Sequence, residues 1–258
     1  MATITEARTS LERKWTHGRP VERLAYSVAA VLFVSGLVHF GVLVVSGTTW
    51  EGPLSYRKAM TFGLSFGLTL ATLTWATSFL RLRPRTRNVL LGAFTAVSVV
   101  EVALITMQVW RGVPSHFNFE TGFDSTVSMM LAAGGAVIIA TVLGFTVAAM
   151  RATSGLAPSL LLALRFGLVV LMGALVVGAV MIADGVRLAR GGDPQLAYTT
   201  AGALKPVHAV TMHAILVVPA LAWLLRFVDW PERRRTKLIW TAIGLYTALI
   251  AIVWLVFG

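Results

Sequence analysis

The chain has 258 residues, 57% of them hydrophobic and only 13% charged, with 22 Lys and Arg against 11 Asp and Glu and no cysteine. That balance excludes a soluble globular protein, and the missing thiols exclude disulfides, thiolate metal sites and cysteine nucleophiles. The net charge of +11 does not point to nucleic acid either, because the basic residues fall in short groups between apolar runs, where they report membrane topology.

A hydrocarbon core about 30 Å thick needs roughly 20 apolar residues per helix. Seven such runs occur, at approximately 23–46, 59–80, 88–110, 125–150, 159–183, 206–228 and 238–257. The expected fold is all-α, a polytopic seven-transmembrane-helix bundle forming a single domain over 23–258 behind a basic N-terminal segment, 1–22. The first run lacks a small-x-small cleavage site and reads as a retained helix. Five Lys and Arg lie in the N-terminal stretch through Arg23, four in 81–87, two in 151–165 and five in 226–237, against six on the other side. The positive-inside rule then predicts a cytoplasmic N-terminus and an extracytoplasmic C-terminus, in a multi-pass protein of the cytoplasmic (inner) membrane. The runs "RLRPRTR" and "PERRRTK" are read as topology signals first and as sites of attraction to anionic lipid headgroups second.

In chain order, the first run carries "SGLVH", with Ser35 one helical turn before His39 and on the same face. At about 1.5 Å per residue, His39 lies roughly 10 Å inside the outer boundary. The second run opens after Lys58 and contains Gly63 and Gly67, a G-x-x-x-G pair suited to close helix packing, followed by Trp75. The third holds Glu101 about 14 Å deep by the same rise, where a carboxyl is either protonated, paired with a histidine or Lys58, or open to water. The connection "RGVPSHFNFETGFDS" spaces His116, Glu120 and Asp124 every four residues, so a helical loop would align them. Asp124 before "STV" reads better as an N-cap of the fourth run.

Arg165 and Arg226, near the inner ends of their runs, are placed to snorkel. The fifth run repeats a small-x-x-x-small spacing at Ala174 and Gly178 and ends near Asp184 on the outer side. The sixth, "KPVHAVTMHAILVVPALAWLL", places His208 about 5 Å and His213 about 12 Å deep, diverging by about 140° around the helix. Met212 shares the face of His208, and Pro219 is positioned to kink the helix. Polar residues at membrane depth usually mark a site, and here they gather in the outer half. Each also has a bland reading as a hydrogen-bonded residue within the bundle.

Seven helices invite comparison with retinal proteins, but the last run has no lysine for a Schiff base. Ser35-x-x-x-His39 and the late histidine pair resemble the intramembrane zinc hydrolases of the ceramidase and adiponectin-receptor type, although His208 and His213 are five apart where that family has four. The segments "GPLSYRKAMTFGLSFGLTL", "RGVPSHFNFETGFD" and "KPVHAVTMHA" resemble uncharacterised bacterial multi-pass membrane proteins, a likeness that implies no particular activity. Three functions are expected to compete. The first is binding of haem b or a transition metal by His39 and His213, with His208 as substitute, for electron transfer or oxidation of a lipid-soluble substrate such as a quinone or isoprenoid. The second is cofactor-free, cyclase-like acid catalysis on an isoprenoid or other lipid by Glu101 or Asp184, with Trp50, Trp75 and Trp110 stabilising cations. The third is a carrier or binding protein whose polar cluster receives a ligand headgroup, with membrane lipids as its surroundings.

Overall fold

The computed structural model describes residues 2–152, 155–200 and 202–258, and among these it is all-helical, with no strands. The elements are α1 (Ala2–His17), α2 (Pro20–Ser46), α3 (Arg57–Thr77), α4 (Pro84–Trp110), α5 (Gly122–Arg151), α6 (Pro158–Arg190), α7 (Pro194–Thr200), α8 (Lys205–Leu225) and α9 (Glu232–Phe257). Seven of them, α2 to α6, α8 and α9, are long and apolar enough to cross a bilayer, so the chain is a multi-pass membrane protein. Their bounds fall close to the seven predicted runs. Two short amphipathic pieces were not anticipated: α1, within the basic N-terminal segment, and α7. The fifth run also extends further than expected. At 33 residues, α6 is about 50 Å long and projects well beyond a hydrocarbon core about 30 Å thick.

Local chemistry sets the helix starts. Pro20, Pro84, Pro158 and Pro206 stand in the first turns of α2, α4, α6 and α8, where a fixed φ helps and the missing N–H costs nothing. Gly47, at φ 63°, closes α2 in the left-handed conformation. Pro219 is absorbed, buried, inside α8.

An odd number of crossings separates the ends of the bundle. One, the basic end, carries α1 and the 78–83 and 226–231 connections; the other, the lid end, carries the 47–56, 111–121 and 191–204 connections. α3 packs against α2, α4 and α8, while α6 packs against α5, α7, α8 and α9. The predicted glycine pair is a site of backbone contact: a Cβ on Gly63 would lie 2.6 Å from the Gly36 nitrogen, and one on Gly67 2.7 Å from the Phe33 nitrogen. Ala174 and Gly178 do the same for α8, since the Ala174 carbonyl accepts a bond from His208 and the His208 ring lies 3.3 Å from the Cβ position of Gly178. In a bilayer, such close approach supplies the van der Waals attraction that hydrophobicity cannot.

The basic end is sealed by aromatic and ionic contacts. Trp75 meets Trp223 edge-on at 5.9 Å, flanked by Phe79 at 5.3 Å and Phe227 at 5.1 Å. Arg87, which the sequence places among the topology charges, is in fact 1% exposed. It donates to Glu22 at 2.9 Å and to the Thr77 and Leu80 carbonyls at 3.2 and 2.6 Å. Arg19 reaches the same Glu22 carboxylate at 2.8 Å. The cause is the start of α4 at Pro84, which turns Arg87 into the first helical turn and toward the carbonyls that end α3. Arg165 donates to the Ala149, Met150 and Ala152 carbonyls at 3.1, 3.1 and 2.7 Å, its head turned toward the basic end, where it closes α5.

Candidate functional site

Residues Arg111 to Thr121 fold back over the lid end instead of forming a helix. Their anchor is Asp124, which is buried. Its carboxylate accepts from Gln108 at 2.9 Å, from Arg111 at 2.7 Å and from the Thr121 hydroxyl at 2.6 Å. Thr121, not Asp124, is the N-cap of α5: its hydroxyl accepts the Asp124 N–H at 3.1 Å, and Asp124 sits three residues in as the acidic partner. Ser128 on α5 pins the middle of the loop, donating to the Asn118 carbonyl at 3.0 Å and accepting its N–H at 3.2 Å. Phe117 takes φ 62°, a strained value for a residue with a side chain. This reversal drives its ring onto α6, where a Cβ on Gly185 would come within 2.3 Å of it.

The neighbouring His116 turns the other way, onto α3, with its ring 5.8 Å from Phe62 and Nδ1 3.2 Å from the Ser115 hydroxyl. Burial, and secondly the charge on nearby Lys58, hold the imidazole well below its usual range, so it is neutral. Lys58 stands in the first turn of α3, partly buried, its backbone N–H bonded to the Ser55 carbonyl at 3.1 Å and its ammonium with no hydrogen bond or ion pair among the described residues. Lys205, the first residue of α8, is close enough for its charge to act on Lys58. Arg57 is paired with Glu51 at 3.1 Å. The N-terminal ends of α3 and α8 thus bring Arg57, Lys58 and Lys205 to the lid end, where Glu51 pairs with Arg57. α7 completes the rim: burial, together with the carboxylates of Glu120 and Asp124, pushes the Tyr198 phenol up.

The residues singled out from the sequence are not brought together. His39, 5% exposed, faces α4, and both ring nitrogens are engaged. Trp110 Nε1–H donates to its Nε2 at 3.0 Å, which leaves Nδ1 protonated and donating to the Ser35 carbonyl at 2.7 Å. Ser35 therefore serves His39 through its backbone and not its hydroxyl. His208 faces α6, where Nδ1 lies 2.7 Å from the Ala174 carbonyl. His213 is on the exposed side of α8, its Nδ1 turned back to the Ala209 carbonyl at 2.7 Å. It edges a small groove against Ser65, Thr69 and Thr72 of α3, with Met212, whose sulfur is 3.8 Å from the Thr69 hydroxyl.

The divergence of His208 and His213 holds, and the equal depth of His39 and His213 counts for nothing because α3 lies between α2 and α8. Among the described residues no three His, Asp or Glu side chains gather where an ion could sit. As placed, they fit neither a haem clamped between His39 and His213 nor a three-ligand zinc centre.

The acids are scattered as well. Asp184 is 56% exposed on the projecting end of α6, 3.8 Å from Arg187. Glu120 is exposed, and the irregular loop removes the shared face with His116 and Asp124 that helical spacing would have made. Glu101, 4% exposed, is paired with neither Lys58 nor a histidine. It lies against α5, its Oε1 2.2 Å from where a Cβ on Gly134 would be. Trp50 packs near Arg57 at 5.5 Å, Trp110 on His39, and Trp75 at the basic end, so the three line no common cavity. Sequence reasoning missed Lys205, Phe117, Arg111 and the Glu22–Arg87 pair. A signal was available for Lys205, which, like Lys58, immediately precedes an apolar run and so stands at a helix N-terminus. Comparison with protein-family models, with curated proteins and with solved structures returned no match to this chain.

Proposed function

We propose that this is a multi-pass protein of the cytoplasmic membrane, with its N-terminus cytoplasmic and its lid end outward, that binds the anionic headgroup of a lipid-soluble ligand. The observation that carries the reading is Lys58: a cation at the N-terminal end of a membrane helix, beneath a fixed lid and beside Lys205, with no carboxylate of its own. An uncompensated cation in a partly buried place is costly and suits an anion. The N-terminal ends of α3 and α8 add their partial positive charge. Neutral His116 offers a further donor or acceptor, and Phe62 an apolar wall. A phosphorylated or carboxylated isoprenoid-type lipid suits this chemistry, whereas a neutral quinone leaves the charge unmet. The arrangement also argues for binding or carriage over a haem or metal oxidoreductase, since His39 would have to release Trp110 to act as a ligand.

The test uses the purified protein in nanodiscs of zwitterionic lipid, titrated with an isoprenyl phosphate and with its parent isoprenol. The phosphate is expected to bind at least about tenfold more tightly, as a charge-assisted hydrogen bond worth roughly 1.5–3 kcal/mol requires. Lys58→Gln should abolish that preference. Equal binding of the two compounds, or a preference unchanged in Lys58→Gln, removes the reading. Sidedness is checked separately: cysteines placed at Gly122 and Gly192 should label from outside the cell and one at Thr86 should not, and the reverse pattern moves the site to the cytoplasmic leaflet.

A further inference from the structure

We infer that Glu101, lodged in the gap left by Gly134, is a proton-binding site in the membrane interior that carries an exchangeable proton at neutral pH. The site is separate from the headgroup site at Lys58 and does not depend on it. Glu101 is on α4, nine residues below the lid end of that helix, which places it about 14 Å deep. Its side chain is buried and has no hydrogen bond and no ion pair among the described residues. A bare carboxylate in that position has no cation to stabilise it among the described residues, and burying the neutral acid costs far less.

The space is shaped for the carboxyl. Gly134 is the residue of α5 that faces it, and any side chain there would begin 2.2 Å from Oε1. The polar and charged groups on the packed elements are all turned elsewhere. On α2, Glu22 is held by Arg87 and His39 by Trp110; on α3, Lys58 stands in the first turn, at the lid end; on α5, Asp124 is held by Arg111. The buried carboxylates of Glu22 and Asp124 are each held by an arginine, at 2.9 and 2.7 Å; Glu101 has no such partner among the described residues. The ligand it suits is a proton.

Infrared spectroscopy of the reconstituted full chain at neutral pH reads the site directly. The carbonyl band of a protonated carboxylic acid is expected, and it should shift on transfer to D2O and be lost in Glu101→Gln. Gly134→Ala pushes the carboxyl from its place, so it should move the band without removing it. That second variant assigns the band even where Glu101→Gln fails to fold. Absence of a protonated-carboxyl band in the parent protein overturns the proposal. So does a band that survives Glu101→Gln in folded protein, or one that D2O leaves unmoved after long exchange, which would make Glu101 a sealed packing group.

Discussion

At the basic end, the buried guanidinium of Arg87 finds a carboxylate and the carbonyls of Thr77 and Leu80, while at the lid end the ammonium of Lys58 finds no partner among the described residues. Both cations occupy the first turn of a membrane helix, and both were classed from sequence as loop charges. One closes a structure and the other leaves a site open. Removing the membrane protein's water makes every charge expensive, so a charge that only holds the fold together arrives with its counterpart. Where no counterpart is built in, as at Lys58 and Glu101, a ligand or a proton is the physical completion.

The largest effect expected is at Arg87. Arg87→Met leaves Glu22 buried with only the half-exposed Arg19 beside it, and should lower stability by about 3–5 kcal/mol, read as a fall in the unfolding midpoint in detergent. Arg87→Lys should not restore it, because a single ammonium cannot reach one carboxylate and two carbonyls in the geometry of the guanidinium fork. A change below about 1 kcal/mol, the range of an exposed pair, would erase the contrast between the two ends. Asp124→Ala comes next. It removes the acceptor shared by Gln108, Arg111 and Thr121 and should cost about 1–3 kcal/mol, with faster proteolysis confined to the 111–121 loop.

Lys58→Met sharpens the comparison by its sign. Since no native partner is lost, stability should be unchanged or raised by roughly 0.5–1 kcal/mol, and a marked loss would reveal a partner and unmake the site.

The smallest effect concerns Lys14, whose ammonium lies 4.0 Å from the Phe79 ring and bonds the Ser78 hydroxyl, docking α1 on the basic end. Burial lowers its pKa from 10.5 to about 8, against the raising influence of Glu22. Below pH 8 the ammonium is charged both docked and free, so the penalty for burying the charge is present in full. Between pH 8 and 10.5 the undocked side chain binds more protons than the docked one, and docking strengthens as pH rises. Protection of α1 from protease should therefore increase across that window in the parent and stay flat in Lys14→Met. A flat profile in both would detach Lys14 from the docking of α1.

Hydropathy located all seven spans to within a few residues at most ends, because a bilayer imposes a length that one dimension of sequence can satisfy. Gly63 with Gly67, and Ala174 with Gly178, were legible for the same reason: close approach needs small residues at helical spacing, whatever the partner. Position along a helix follows from the constant rise per residue. Azimuth does not. His39 and His213 share a level yet face different neighbours, and nothing in their own helices says how α2, α3 and α8 are turned against one another. The same rotation decides that Arg87 points into the bundle, that Glu101 meets Gly134 and that Lys58 meets no acid. The lid escaped prediction for a different reason: a left-handed Phe117 breaks the helical spacing of His116, Glu120 and Asp124, and Asp124 is held by Arg111 and Gln108 across the chain reversal. Span count, composition and packing motifs are properties of single helices and can be read one helix at a time; a site is a property of several, and its members are chosen by packing.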